Sequence, residues 1–96
     1  AIEEFNILKE YAPNDPWVHT QLASSYRELK MPEKEIEEYE TCVKLCPKDS
    51  DKLFHLGTLY FKQGLNAKGL KVYEKLKNLE PKQAETLISY YGERAS

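Results

Sequence analysis

Proline recurs at Pro13, Pro47 and Pro81, a constant spacing of 34 residues, each time just after an apolar stretch with helical periodicity. Other residue types keep the same offset: Phe5, Tyr39 and Tyr73; Ile2, Ile36 and Leu70; Leu8, Cys42 and Leu76; Tyr11, Leu45 and Leu79. One helix is therefore written three times. A second pattern fills the interval twice, with Leu22 and Leu56, Ala23 and Gly57, Ser24 and Thr58, Tyr26 and Tyr60 each one period apart. Its third copy begins near Ala84, where Leu87, Tyr90 and Tyr91 take the places of Leu53, Leu56 and Gly57. A chain with such a period builds stacked copies of one small unit, because each copy can bury its apolar face only against a neighbour.

Within a copy, Leu53, Leu56, Gly57 and Tyr60, and likewise Leu70, Tyr73, Leu76 and Leu79, recur at spacings of three and four, which puts each set on one face of an α-helix. No alternating strand pattern competes. Asp15 before Pro16 reads as an N-cap followed by proline in the first turn, where a missing N–H costs nothing; Asp49 stands in the same place one period on, and Gly64 ends the helix that starts there. These signals predict six helices, over about 1–12, 16–30, 33–46, 50–63, 67–80 and 83–94, in an all-α chain.

Ninety-six residues are too few for separate cofactor and substrate domains. With 14 Lys and Arg against 16 Asp and Glu, the chain lacks the basic footprint that nucleic-acid phosphates or anionic lipid require. The longest stretch without a charged side chain, Pro16 to Tyr26, is far short of the roughly 20 apolar residues of a spanning helix. The expected partners are thus other proteins, with no nucleic acid and no membrane insertion. Cys42 and Cys46 make no secreted disulfide framework and no Asn-x-Ser/Thr site occurs, which favours an intracellular, cytoplasmic setting. The chain opens with Ala1 and shows no leader, and reads as a piece of a longer protein. Charge is uneven: residues 1–51 carry 12 acids and 6 bases, a balance of −6, while residues 52–96 carry 4 acids and 8 bases, a balance of +4.

The recurring residues resemble the tetratricopeptide repeat family, whose signature runs aromatic-x2-Leu-Gly-x2-Tyr, then Ala-x3-aromatic, then Pro. The better copy is Leu53-x2-Leu56-Gly57-x2-Tyr60, Gly69-x3-Tyr73 and Pro81; the looser one is His19-x2-Leu22-Ala23-x2-Tyr26, Glu35-x3-Tyr39 and Pro47. The resemblance covers the whole chain and implies a right-handed α-α solenoid of antiparallel helix pairs. It divides the chain into the second helix of a repeat (1–13), full repeats at 14–49 and 50–83, and the first helix of a further repeat (84–96). Leu22, Ala23, Tyr26, Tyr39, Pro47, Leu56, Gly57, Tyr60, Gly69, Tyr73 and Pro81 are then the structural repeat core. Two departures stand out. Glu35 replaces a small residue where paired helices touch, which predicts a slightly opened pair or an outward carboxylate. His19 replaces a large apolar residue, leaving a gap for Trp17 to fold back and fill.

The resemblance further implies a protein-interaction scaffold whose first helices line a concave groove, at Trp17, Thr20, Ser24, Arg27, Phe54, Thr58, Phe61 and Ile88. Phe54 and Phe61, seven apart and off the Leu53, Leu56, Gly57, Tyr60 stripe, read as an exposed pair able to anchor a peptide or helix, with hydroxyls and Arg27 setting its register. Some relatives grip a terminal carboxylate with Lys, Asn and Arg on these helices; here the places hold Thr20, Ser24, Asp51, His55, Thr58 and Ser89, and Asp51 would repel it. No catalytic constellation, cofactor or metal is expected: Cys42 and Cys46 supply two ligands where a closed zinc site wants four, and His19 and His55 lack a partner acid at readable spacing. Cys42 fills the small apolar slot of Leu8 and Leu76. The runs Glu33, Glu35, Glu37, Glu38, Glu40 and Lys68, Lys71, Lys75, Lys77 read as solvated faces, or as opposite charges that orient a partner. The alternative function is structural: Leu87, Tyr90 and Tyr91 at one end and Ile2, Phe5 and Leu8 at the other would stack head to tail into self-assembly, or space other domains.

Overall fold

In the computed structural model the backbone of residues 2–95 and the side chains of residues 2–89 are described. The expected outer faces of Tyr90 and Tyr91 therefore lie outside the described residues. Six α-helices follow in order: α1 (Ile2–Tyr11), α2 (Pro16–Glu28), α3 (Pro32–Leu45), α4 (Ser50–Lys62), α5 (Asn66–Leu79) and α6 (Pro81–Ala95), with no strand among the described residues. They form two units, residues 1–47 with α1, α2 and α3, and residues 48–96 with α4, α5 and α6.

Asp15 and Asp49 start α2 and α4 as the spacing predicts. Asp15 Oδ1 accepts the Trp17 N–H at 2.9 Å, and Asp49 Oδ1 accepts the Lys52 N–H at 3.2 Å, each satisfying a donor with no partner inside the helix. The third proline is used differently. Lys82 and Gln83 follow Pro81 where an Asp follows Pro13 and Pro47 two residues on, so α6 begins at Pro81 itself, earlier than the sequence suggests. A single residue, Glu80, joins it to α5. Pro47 and Pro81 are exposed, so their place in the repeat is to fix the backbone rather than to fill the core.

The turns after α2 and α4 are the same motif. In one, the Lys30 N–H reaches the Arg27 carbonyl and the Met31 N–H the Tyr26 carbonyl; in the other, Gly64 reaches Phe61 and Leu65 reaches Tyr60. Each pair of bonds closes the helix only if the residue after its cap is left-handed. Lys30 (φ 57°) and Gly64 (φ 76°) occupy that position one period apart. Glycine takes this conformation freely, whereas lysine brings Cβ against the following carbonyl.

In the first unit α2 packs on α1 and α3, burying Val18, Leu22, Ala23, Ile36, Tyr39 and Cys42. In the second, α4, α5 and α6 pack on one another around Leu53, Leu56, Tyr60, Val72, Leu76, Ala84 and Leu87. Gly57 is where the three helices meet: a Cβ there would sit 2.8 Å from Leu87 Cδ2 and 3.1 Å from Val72 Cγ1. Tyr26 and Tyr73 are half-buried. Replacing Lys30 by Gly should raise stability by about 1 kcal/mol, and Gly64→Lys should lower it by a similar amount; urea unfolding of the two variants reads both shifts.

Candidate functional site

Each helix pair closes where the last turn of its first helix meets the first turn of its second. In the second unit Phe61 provides the contact. Its ring lies on Gly69, so close that a Cβ on Gly69 would be 2.7 Å from a ring carbon. The expected exposed pair of Phe54 and Phe61 is corrected: Phe61 is only 3% accessible, because the missing side chain of Gly69 leaves a seat that the ring fills. Phe54 stays half-exposed, edge-on to His55 at 6.4 Å.

One period earlier the same two positions hold Arg27 and Glu35. Arg27 Nε donates to Glu35 Oε2 at 2.9 Å, and its Nη2 donates to the Tyr39 hydroxyl at 2.8 Å. Glu35 is buried, so the pair neither opens nor turns its carboxylate outward as the sequence suggested: the guanidinium fork reaches down from a half-exposed position and neutralises it. The Glu35 hydrogen bond holds the Arg27 guanidinium in its charged form, above its usual range. Burial pushes the Tyr39 phenol above the ordinary tyrosine range, with the Arg27 charge opposing it. Arg27 therefore serves to close the helix pair.

A second exchange lies deeper. His19 and Glu38 stand where the other unit has Leu53 and Val72. The His19 ring is 2% exposed, with Nδ1 2.7 Å from Glu38 Oε1 and Nε2 2.7 Å from the Pro13 carbonyl oxygen; Lys9 Nζ donates to Glu38 Oε2 at 3.0 Å. The gap assigned to Trp17 is thus filled by the Glu38 carboxyl. Trp17 stands 56% exposed instead, edge-on to Phe5 with ring centroids 5.8 Å apart. The acidic run on α3 is corrected with it: Glu33, Glu37 and Glu40 are exposed, while Glu35 and Glu38 face inward.

Of the proposed groove residues, Trp17 and Ser24 are exposed on α2, and Thr20 is half-buried with its hydroxyl bonded to the Pro16 carbonyl at 2.8 Å. On α4, Thr58 is likewise half-buried and donates to the Phe54 carbonyl at 2.9 Å. Ile88 on α6 stands one period after Phe54 and is half-exposed. Sequence reasoning missed a cleft of about 390 Å³ in the first unit, lined by Ile2, Glu3, Glu4, Ser25, Glu28 and Leu29. Only the pairing of α1 with the far end of α2 creates it, and no spacing rule names those residues together.

Cys42 is buried, its Sγ 3.8 Å from the Pro16 carbonyl oxygen, and Cys46 is half-buried; both are free thiols. Among the described residues no three His, Cys, Asp or Glu side chains gather as a metal site requires. No helix among them is long and apolar enough to cross a membrane.

Compared with known protein families, residues 18–49 match one tetratricopeptide repeat model and residues 53–82 match another. No curated protein matches the chain. The two matched stretches include both exchanged pairs, Arg27 and Glu35 with Phe61 and Gly69, and His19 and Glu38 with Leu53 and Val72. Arg27→Ala should cost about 1–3 kcal/mol in urea unfolding, since it leaves a buried carboxylate without its donor. Arg27→Phe combined with Glu35→Gly, which copies the other unit, should be more stable than either change alone, a non-additivity that a double-mutant cycle measures.

Proposed function

Because the chain belongs to the tetratricopeptide repeat family of protein-interaction scaffolds, we propose that it binds a peptide or helical segment of a partner protein on its first helices, the ones that line the concave groove in such arrays. The repeats are taken as 14–49 and 50–83, with 1–13 and 84–96 as single helices of flanking repeats. The observation that carries the reading is Phe54. It is a half-exposed ring on a helix whose Leu53, Leu56, Tyr60 and Phe61 side chains are buried, and Ile88 repeats its position one period on. Thr58 beside it offers a hydroxyl. In the first unit Trp17, Thr20 and Ser24 present a similar mixture of ring and hydroxyl groups on α2. Ring burial supplies most of the affinity of such a contact, and polar neighbours set register. A cytoplasmic setting, where both free thiols stay reduced, fits this role.

Selection of a random peptide library against the chain, followed by titration of the enriched peptide, tests the reading. Phe54→Ser should weaken binding at least about tenfold, the loss expected for an anchoring ring, while circular dichroism shows the helices intact. An enriched peptide that binds Phe54→Ser and Ile88→Ser as tightly as the parent chain places the site elsewhere. Phe61 is unsuitable for this test, since its loss would open the α4–α5 pair.

A second reading, self-association, is supported by α1, where Ile7, Leu8 and Tyr11 are exposed, Tyr11 to 85%. Leu8 holds the register of Cys42 and Leu76, both fully buried. On this reading the mass measured by light scattering rises with concentration and Leu8→Glu abolishes the rise; a strictly monomeric mass at high concentration excludes it.

A further inference from the structure

The cleft of about 390 Å³ in the first unit joins apolar surface to negative charge. Ile2 and Leu29 line it together with Ser25, Glu3 and Glu4 enter it from the first turn of α1, and Glu28 enters from the end of α2. All three carboxylates are exposed, and none pairs with a cation among the described residues. Lys9, Arg27 and Lys34 of the same unit are engaged by Glu38, Glu35 and Glu37. A lysine side chain from outside matches both parts of the cleft, since its methylene stem covers apolar surface while its ammonium stays among the carboxylates. The chain itself carries such side chains. On α5, Gly69, Val72 and Leu76 are buried, and Lys68, Lys71 and Lys75, at spacings of three and four, form an exposed stripe on another face, with Leu79 one turn further on. The Lys68 ammonium lies over the Tyr60 ring, 5.8 Å from its centroid, whereas Lys71 and Lys75 have no acidic partner among the described residues.

We propose that the α1–α2 cleft of one copy of this chain receives the Lys71 and Lys75 side chains of a second copy. The inference rests on the self-association reading and names its two surfaces. Cleft and stripe are different surfaces, so every copy offers one of each and the contact is heterologous, repeating head to tail. It sets the half of one copy that carries a balance of −6 against the half of the next that carries +4. Ile7 and Tyr11 follow Glu4 at spacings of three and four on α1 and are exposed, which gives the lysine stems and Leu79 apolar surface to cover beside the acidic turn. Ion pairs at such exposed positions are individually weak and are screened by salt, so the association is reversible and loosens as ionic strength rises. Contact through the exposed apolar face of α1 alone would show no such loosening.

Charge exchange between copies tests this, with mass read by light scattering over a concentration series. One variant carries Glu3→Lys and Glu4→Lys, the other Lys71→Glu and Lys75→Glu, and circular dichroism checks that both stay helical. The mass of the parent chain should rise with concentration, and the rise should weaken as salt goes from about 0.05 M to 0.5 M. Each variant alone should associate at least about tenfold more weakly, because like charges then meet at the contact. An equimolar mixture of the two should regain the association of the parent, since each reversed surface finds its complement. Variants that associate as the parent does, or a mixture that regains nothing, overturn the proposal and leave self-association through Leu8 standing. A parent chain that stays monomeric overturns both; if it nonetheless binds a lysine-rich peptide that the Glu3→Lys, Glu4→Lys variant does not, the occupant of the cleft is a basic segment of another protein. If the α1 variant loses helix, the Lys71→Glu, Lys75→Glu variant and the salt series decide, because those two side chains are exposed.

Discussion

Each helix pair is closed at its turn by one contact, between the last turn of its first helix and the first turn of its second. Backbone sterics alone would let the helices splay there, because the left-handed turn at Lys30 or Gly64 reverses the chain without fixing the angle at which it returns. In the second unit the angle is set by an aromatic ring seated on a glycine, and in the first by a guanidinium bonded to a buried carboxylate and a phenol. The first solution uses dispersion and apolar burial, which are tolerant of small shifts. The second uses directional bonds, which are not.

The same contrast runs through both interiors. Leu53, Val72, Leu76 and Leu87 make the second unit an apolar core, whereas His19, Glu35 and Glu38 put an imidazole and two carboxyl groups inside the first. Every polar group named there has a partner: Glu35 meets Arg27, Glu38 meets Lys9 and His19, and His19 also meets Pro13. Buried pairs of this kind contribute little net stability over an apolar pair of equal volume, yet removing one partner strands the other at high cost. The first unit is thereby the more sensitive of the two to single changes.

The period made the helices legible, because prolines, capping aspartates and the Gly64 turn are local signals that need no tertiary contact. It also pointed to Phe54, which stands half-exposed on α4. It failed for Phe61, Glu35, His19 and Glu38, all judged one residue at a time by their ordinary preference for water or for a groove. Their environments are set by residues eight or nineteen positions away. The exchange was nonetheless written in the repeat: columns 27/61 and 35/69 change from Phe and Gly to Arg and Glu together, and columns 19/53 and 38/72 from Leu and Val to His and Glu. Reading columns in pairs, rather than singly, would have shown both bridges. The cleft at Ile2, Ser25 and Leu29 had no such trace, since no spacing rule names those residues together.

A chain made of near copies has a hazard that a chain with one irregular core does not: a helix of one copy can fold onto the complement of another. Here the two copies carry incompatible interiors. Were α4 to close on α3 in place of α5, the Phe61 ring would press on the Glu35 carboxylate and Leu53 on Glu38, each stripped of water and of its cation. Were α2 to close on α5, Arg27 would find Gly69 and His19 would find Val72, leaving Arg27 without Glu35 and His19 without Glu38. The polar bridges of the first unit thus act as an address, directing each helix to its own neighbour while the chain is still choosing.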